Sequence, residues 1–333
     1  MRISSWQCGS FREPLAHPFG FKGGAMTEIW QTVVKLSDPD GHHGFGTGAQ
    51  SVLWSDAAIF ARDGEVRGNE LMLAITRHAL TLAAAAEWDN PIALLDCILP
   101  DTIAFARATA AAPQLRLTFA LNALVPLDCA AWQLFAHAHN LVDFDQLPPL
   151  EYRPALPCRH HRLAAIPLIS YATPLAQAAQ LAHRGCVVMK IKLGADPDGD
   201  GDPAKMLDWD CHRLTELHRL LRDFSCPDTT SGHLLYYLDA NGRYDSKDRL
   251  LRLLDHAAGI GALGRIVLLE EPFPEEYDLP VGDLPVRVAA DESAHSAADV
   301  ERRIAQGYRA IALKAVAKTF SMSLQMLRTA HRA

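Results

Sequence analysis

From about residue 165 onward the chain repeats one pattern: a short apolar run that turns ionisable at its C-terminal end, followed by an amphipathic stretch. The runs cover residues 165–172, 187–193, 234–240, 265–270, 286–291 and 310–316. Strands alternating with helices in this way specify a parallel α/β architecture. In a (β/α) barrel the C-terminal strand ends form the catalytic face, whereas charge at the opposite end is structural. The ionisable ends are Lys190 and Lys192 (Met-Lys-Ile-Lys-Leu), Asp239 and Asn241 (Tyr-Leu-Asp-Ala-Asn), Glu270 (Leu-Leu-Glu-Glu-Pro), Asp291 (Ala-Ala-Asp-Glu-Ser) and Lys314 (Ala-Leu-Lys-Ala-Val).

Period-two alternation puts Lys190 and Lys192 on one face of their strand and Met189 and Ile191 on the other. The apolar pair is expected to meet the helices, so both ammonium groups point into the barrel. A Lys-x-Lys on a solvated edge is the commoner arrangement, but the flanking Cys-Val-Val-Met and Leu fit an edge poorly. Asp239, Glu270 and Asp291 end three successive strands, 31 and 21 residues apart. Neighbouring strands lie ~4.8 Å apart. Three carboxylates converging at that spacing repel one another unless a hard cation sits between them, and carboxylate oxygen is what magnesium selects. Any one of them alone could instead be a helix cap or half of a salt bridge.

These ordered motifs resemble the enolase superfamily, most closely its muconate lactonizing enzyme and dipeptide epimerase branch, within the mandelate racemase/muconate lactonizing enzyme family. The resemblance runs from roughly residue 120 to 318, beginning with Ala-Leu-Asn-Ala-Leu-Val-Pro-Leu-Asp128. It implies that Asp239, Glu270 and Asp291 bind Mg2+ (or Mn2+). It also implies that Lys192 is one acid/base, that Lys314 is a second on the opposite face of the substrate, and that Lys190 helps stabilise an enediolate. The chemistry is coherent by itself, because a proton α to a carboxylate yields to an amine only when the developing charge is stabilised. Nearby cations are expected to lower the pKa of each lysine towards the range of a general base. Two features depart from the branch: Glu271 stands where Gln is frequent, and Lys318 follows Lys314 without the usual Gly-Gly, which leaves Lys314 the stronger candidate.

Ahead of the repeats, residues 27–36 read as a strand, Asp38-Pro-Asp-Gly41 as a turn and residues 44–54 as a returning strand. Helical spacing follows over 55–86 and 101–139. A proline-rich stretch near 150–162 marks a boundary, giving an α+β capping domain over 1–155 and a barrel domain over 156–333. The expected fold is therefore α/β: a modified (β/α) TIM barrel with an N-terminal α+β capping domain. Only residues 321–333 follow the sixth strand, so strands seven and eight are expected to be missing, together with the substrate-selecting residues of the eighth.

The 333 residues carry 32 Lys and Arg against 39 Asp and Glu, with no basic block, which argues against a nucleic-acid partner. No signal peptide or membrane span is read, so a cytoplasmic protein is expected, assembled as a homo-oligomer on a small-molecule carboxylate substrate. The seven cysteines, scattered without Cys-x-x-Cys, read as free buried thiols. The 196–201 segment begins like a calcium loop but has Leu207 where Glu is needed, and reads as an acidic loop. Residues 17–24 have the glycine and aromatic content of a lid, and Trp54 fits either a lid element or core packing. The resulting expectation is a magnesium-dependent racemase or epimerase. Its rivals are β-elimination or cycloisomerisation at the same site, a Schiff-base aldolase on Lys314, and a noncatalytic fragment.

Overall fold

The 27–36 segment becomes the middle of a three-stranded antiparallel sheet in the order β1 (Ser5–Phe21), β2 (Gly24–Ser37), β3 (His43–Gln50). Along β2 the side chains of Trp30, Thr32, Val34 and Leu36 are buried while their neighbours are not, which is the alternation of a half-buried strand. Ser37 pairs with His43 across a turn in which Gly41 adopts φ +89°. The returning strand ends at Gln50 rather than near residue 54, because side chains from elsewhere take over its backbone donors. Asn122 Oδ1 accepts from Ser51 N at 3.3 Å and Asn69 Oδ1 accepts from Val52 N at 2.9 Å. The chain then turns into α1 (Val52–Ser55).

The computed structural model describes residues 1–21 and 24–333. As far as it is described, the 17–24 segment runs in the β1–β2 hairpin, with Lys22 and Gly23 outside the described residues. The helical stretches form α2 (Ala57–Ala85), α3 (Pro91–Thr109) and α4 (Leu117–Ala138). Asp56 caps α2 by accepting from Ala58 N and Ile59 N. Asn90 caps α3 in the same way, with Pro91 at the first helical position. Contrary to the sequence reading, α4 is long and apolar enough to cross a membrane, but most of it is buried. Val52, Ile59, Met72, Ile75, Phe119 and Ala123 share its core. Trp54 is half-buried beside them in sequence.

The repeats form a six-stranded parallel sheet whose strands neighbour one another in chain order: β4 (Leu168–Ile169), β5 (Val188–Lys192), β6 (Leu235–Asp239), β7 (Ile266–Glu270), β8 (Val288–Ala290) and β9 (Ala310–Ile311). Between them run α5 (Leu175–His183), α6 (Pro203–Leu221), α7 (Lys247–Gly259) and α8 (Ala297–Ala305). This is a TIM-barrel-like α/β fold accompanied by a separate antiparallel N-terminal sheet. Every strand is shorter than its apolar run, β4 and β9 the most, at two residues each. Leu168 in β4 is exposed, and β9 stops at Ile311 because the chain enters α9 (Ala315–Lys318) and then α10 (Phe320–Arg332).

Two compact units result, one comprising Met1–Pro157, His295–Ala297 and Leu313–Arg332, the other Cys158–Ala294, Ala298–Ala312 and Ala333. The C-terminal helix therefore packs with the first unit. Asp128 explains how: its buried carboxylate accepts from Phe320 N at 2.8 Å, Ser321 N at 3.2 Å and Ser321 Oγ, capping α10, and Trp132 Nε1 donates to Ser321 Oγ at 2.9 Å. The seven cysteines are free, although only Cys226 is buried and Cys97 and Cys158 are exposed. Lys205, in the first turn of α6, holds the acidic 196–201 loop: its Nζ bonds Asp198 at 2.7 Å and Asp200 at 2.6 Å.

Candidate active site at the carboxyl ends of the strands

Strand register assembles the site. In β5, Met189 and Ile191 are buried while Lys190 and Lys192 take the other face, and β6 repeats this with Tyr236 and Leu238 against Tyr237 and Asp239. Lys192 pairs with Asp239, which pairs with Glu270, which pairs with Ala289, and Asp291 lies two residues further along that last strand's direction. One layer lower, Lys190 pairs with Tyr237. The carboxylates are sunk to 1%, 1% and 2% exposure at Asp239, Glu270 and Asp291.

Two ammonium groups serve Asp239. Lys192 Nζ bonds Asp239 Oδ2 at 2.6 Å and also Asn241 Oδ1, while Lys190 Nζ bonds the same Asp239 oxygen at 2.9 Å and Glu270 Oε2. Lys190 Nζ also lies 4.8 Å from the ring centroid of Tyr237. Burial, then the adjacent Asp239, pushes the Glu270 carboxyl up to about 7 against the pull of Lys190. Burial pulls the Lys190 ammonium down, but the Asp239 and Glu270 carboxylates outweigh it and hold the group above the ordinary lysine range.

A second layer fixes the turns that follow the strand ends. Asn241 (φ +45°) and Glu271 (φ +41°) both sit in the left-handed region just past a strand end. Such conformations cost about 1 kcal/mol or more outside glycine and cluster at functional sites. Asn241 Nδ2 donates to Glu292 Oε1 at 2.8 Å. Glu271 Oε2 accepts from Asp291 N at 2.7 Å, Ser293 N at 3.2 Å and Ser293 Oγ at 3.0 Å, which holds the third carboxylate in place. Asp210, fully buried on α6, accepts from Gly194 N with both oxygens and from Tyr244 OH at 2.8 Å. This clamps the loop that leaves β5. Gly194 has φ +83° and no room for a side chain, since a Cβ there would meet Arg243 Cβ at 2.4 Å. Sequence reading missed Tyr237, although its spacing from Asp239 puts it on the same face, and took Glu271 only as a departure.

The donor set suits a hard cation. Lys190 and Lys192 bond Asp239 and Glu270, and Glu271 Oε1 and Glu292 Oε2 are buried with no hydrogen-bond partner among the described residues. Clustered carboxylate oxygen is the donor type that magnesium or a similar divalent ion takes. Asp239, Glu270 and Asp291 are the residues that would hold it.

Lys314 is an exposed residue of the first unit, preceding α9, and its carbonyl accepts from Ala317 N and Lys318 N. Lys318, by contrast, is buried in that unit. A further group absent from the sequence reading lies at the β2–β3 turn, where ligand atoms of Asp38, Asp40 and His42 fall within 4.8 Å of one another. There Asp38 already accepts from His42 N at 2.8 Å and contacts His42 Nδ1 at 2.8 Å, which a turn alone explains.

No protein-family model and no curated protein matches the chain. Solved structures do match in fold. A mandelate racemase/muconate lactonizing protein from Herpetosiphon aurantiacus superposes with a TM-score of 0.67 at 21% identity, over 99% of this chain and 79% of that one. A dipeptide epimerase from Enterococcus faecalis V583, complexed with Mg and L-Leu-L-Tyr, gives 0.65 at 16% identity over 98% and 78%. An o-succinylbenzoate synthase from Thermosynechococcus elongatus BP-1, with Mg in its active site, gives 0.56 at 20% identity over 94% and 76%.

Proposed function

We propose that the chain is a metal-assisted enzyme that removes the proton α to the carboxylate of a small molecule and returns it to either face, as a racemase or epimerase. The observation that carries this reading is the Lys192–Asp239–Glu270 row, in which a lysine amine and a carboxylate cluster meet at the strand ends where (β/α) barrels react. A divalent cation held by Asp239, Glu270 and Asp291 would supply positive charge to the substrate carboxylate. Lys192, aimed by Asp239 and Asn241, takes the proton at Nζ. Lys190 adds positive charge beside the same carboxylates, and Lys314 is the proposed second base.

Dipeptides are the first substrate class to screen, because two of the fold neighbours are dipeptide epimerases holding dipeptides. The synthase neighbour favours β-elimination as the second reading, in which the same deprotonation ends with loss of a leaving group. A test follows α-proton exchange by NMR in deuterated water with magnesium present. Lys192→Ala is expected to slow exchange of one enantiomer by ~10²–10⁴-fold, the range for a general base. Undiminished exchange of both enantiomers would remove Lys192 from the role. A new alkene signal in place of inversion would assign elimination.

A further inference from the structure

Lys190 makes contacts that proton transfer does not call for. Its strand position is beside Tyr237, one layer below the Lys192–Asp239–Glu270 row, yet its stem reaches upward and sets the ammonium between two carboxylates. Asp239 Oδ2 is 2.9 Å away and Glu270 Oε2 is the second partner. These are oxygens of two of the three proposed metal ligands. Lys192 shares Asp239 Oδ2 but also bonds the neutral Asn241 Oδ1, whereas both carboxylate oxygens that Lys190 bonds belong to proposed ligands.

Magnesium takes carboxylate oxygen at ~2.0–2.1 Å, closer than any ammonium, and a dication a few ångströms from an ammonium in a buried site repels it strongly. An ion taken up on Asp239 Oδ2 or Glu270 Oε2 competes with the ammonium for that oxygen and repels it. We propose that Lys190 is a resident counter-cation of the carboxylate site, and that loading of a divalent ion and release of Lys190 from Asp239 and Glu270 are one exchange. The face of Tyr237, 4.8 Å from Nζ, is the seat that retains the displaced ammonium. The exchange orders events: the amine is engaged by carboxylates until the metal arrives, so metal loading precedes any part Lys190 plays in proton transfer. This inference rests on Asp239, Glu270 and Asp291 being the metal ligands.

Reductive methylation of the intact protein, read by peptide mass spectrometry with and without saturating magnesium chloride, tests the exchange without any variant. Lys190 modification is expected to rise at least about fivefold with magnesium, while Lys205, exposed in the first turn of α6, stays constant as the internal control. Calorimetric titration with manganese chloride gives an independent reading. Lys190→Met is expected to bind at least about tenfold tighter than the parent, and Glu270→Gln more weakly. If Glu270→Gln weakens binding while Lys190 methylation and Lys190→Met affinity are unchanged, the exchange is overturned and the ligand assignment stands. If Glu270→Gln binds like the parent, the ligand assignment falls and the exchange falls with it.

Discussion

Glu271 is held by three donors on one oxygen and by none on the other. Burial, then the nearby Glu292, pushes its carboxyl up to about 7. Gln at this position keeps a carbonyl for the Asp291 and Ser293 amides and replaces the repelled oxygen with an N–H donor. Glu271→Gln is therefore expected to raise the thermal midpoint at pH 8, by about 1–2 kcal/mol equivalent for a buried group relieved of an unmet requirement. At pH 5.5 the protonated Glu271 already resembles Gln, so the gain there should shrink. Differential scanning calorimetry at the two pH values checks this. An equal gain at both would mean that charge is not the cause.

At the scale of elements, β3 owes its contact with α4 to three alternate glycines. A Cβ at Gly44 would meet Ala130 O at 2.1 Å, one at Gly46 would meet Pro126 O at 2.1 Å, and one at Gly48 would meet Pro126 Cδ at 2.7 Å. The strand thus lays bare backbone on the helix. Gly46→Ala is expected to destabilise by at least the ~1–3 kcal/mol of overpacking, whereas Gly9→Ala on β1, with nothing within 4 Å, should stay within about 0.5 kcal/mol. Urea unfolding of the two variants compares them, and equal midpoints would contradict the close packing. This contact was not legible in the sequence, because a Gly-x-Gly-x-Gly run signals turns as readily as packing. The parallel strands were legible, since apolar runs ending in Lys, Asp or Glu admit few other placements. β1 was not, because Arg12, Glu13, Pro14 and Pro18 interrupt any apolar alternation, and its register with β2 shifts between Pro14 and Phe19. The run at 310–316 was overextended, since Ala-Val-Ala-Lys satisfies its backbone as a helical turn once the strand has paired at Ala310 and Ile311. Of the site, the three carboxylates and two lysines could be read from strand ends and Tyr237 from its period-two spacing to Asp239, while Asp210 depends on neighbours that only the fold supplies.

For the whole molecule, four buried carboxyls govern how stability changes with pH. Burial raises Asp128 to about 6 and Asp210, Glu270 and Glu271 to about 7. An acid raised on folding is protonated in the native state while the unfolded chain has already lost its proton, so stability falls as pH rises from about 4 to 7. His218, lowered by burial, acts in the opposite sense below about 6.5, one group against four. Lys190, raised above the ordinary range, loses its contribution only in strong alkali. The thermal midpoint should be higher at pH 5.5 than at pH 7.5 by about 5 °C, and magnesium at pH 7.5 should narrow the gap by pairing Glu270. A midpoint that rises with pH over this window would contradict it.

The central claim, that the strand ends hold a divalent ion, is tested most directly by manganese calorimetry on the parent, Glu270→Gln and Asp38→Asn. The last variant alters the hairpin group at Asp38, Asp40 and His42, whose ligand atoms also lie close enough to bind an ion. One ion per chain, weakened at least about tenfold by Glu270→Gln and unaffected by Asp38→Asn, is the predicted result. Binding that survives Glu270→Gln and is lost in Asp38→Asn would move the metal to the hairpin and contradict the account.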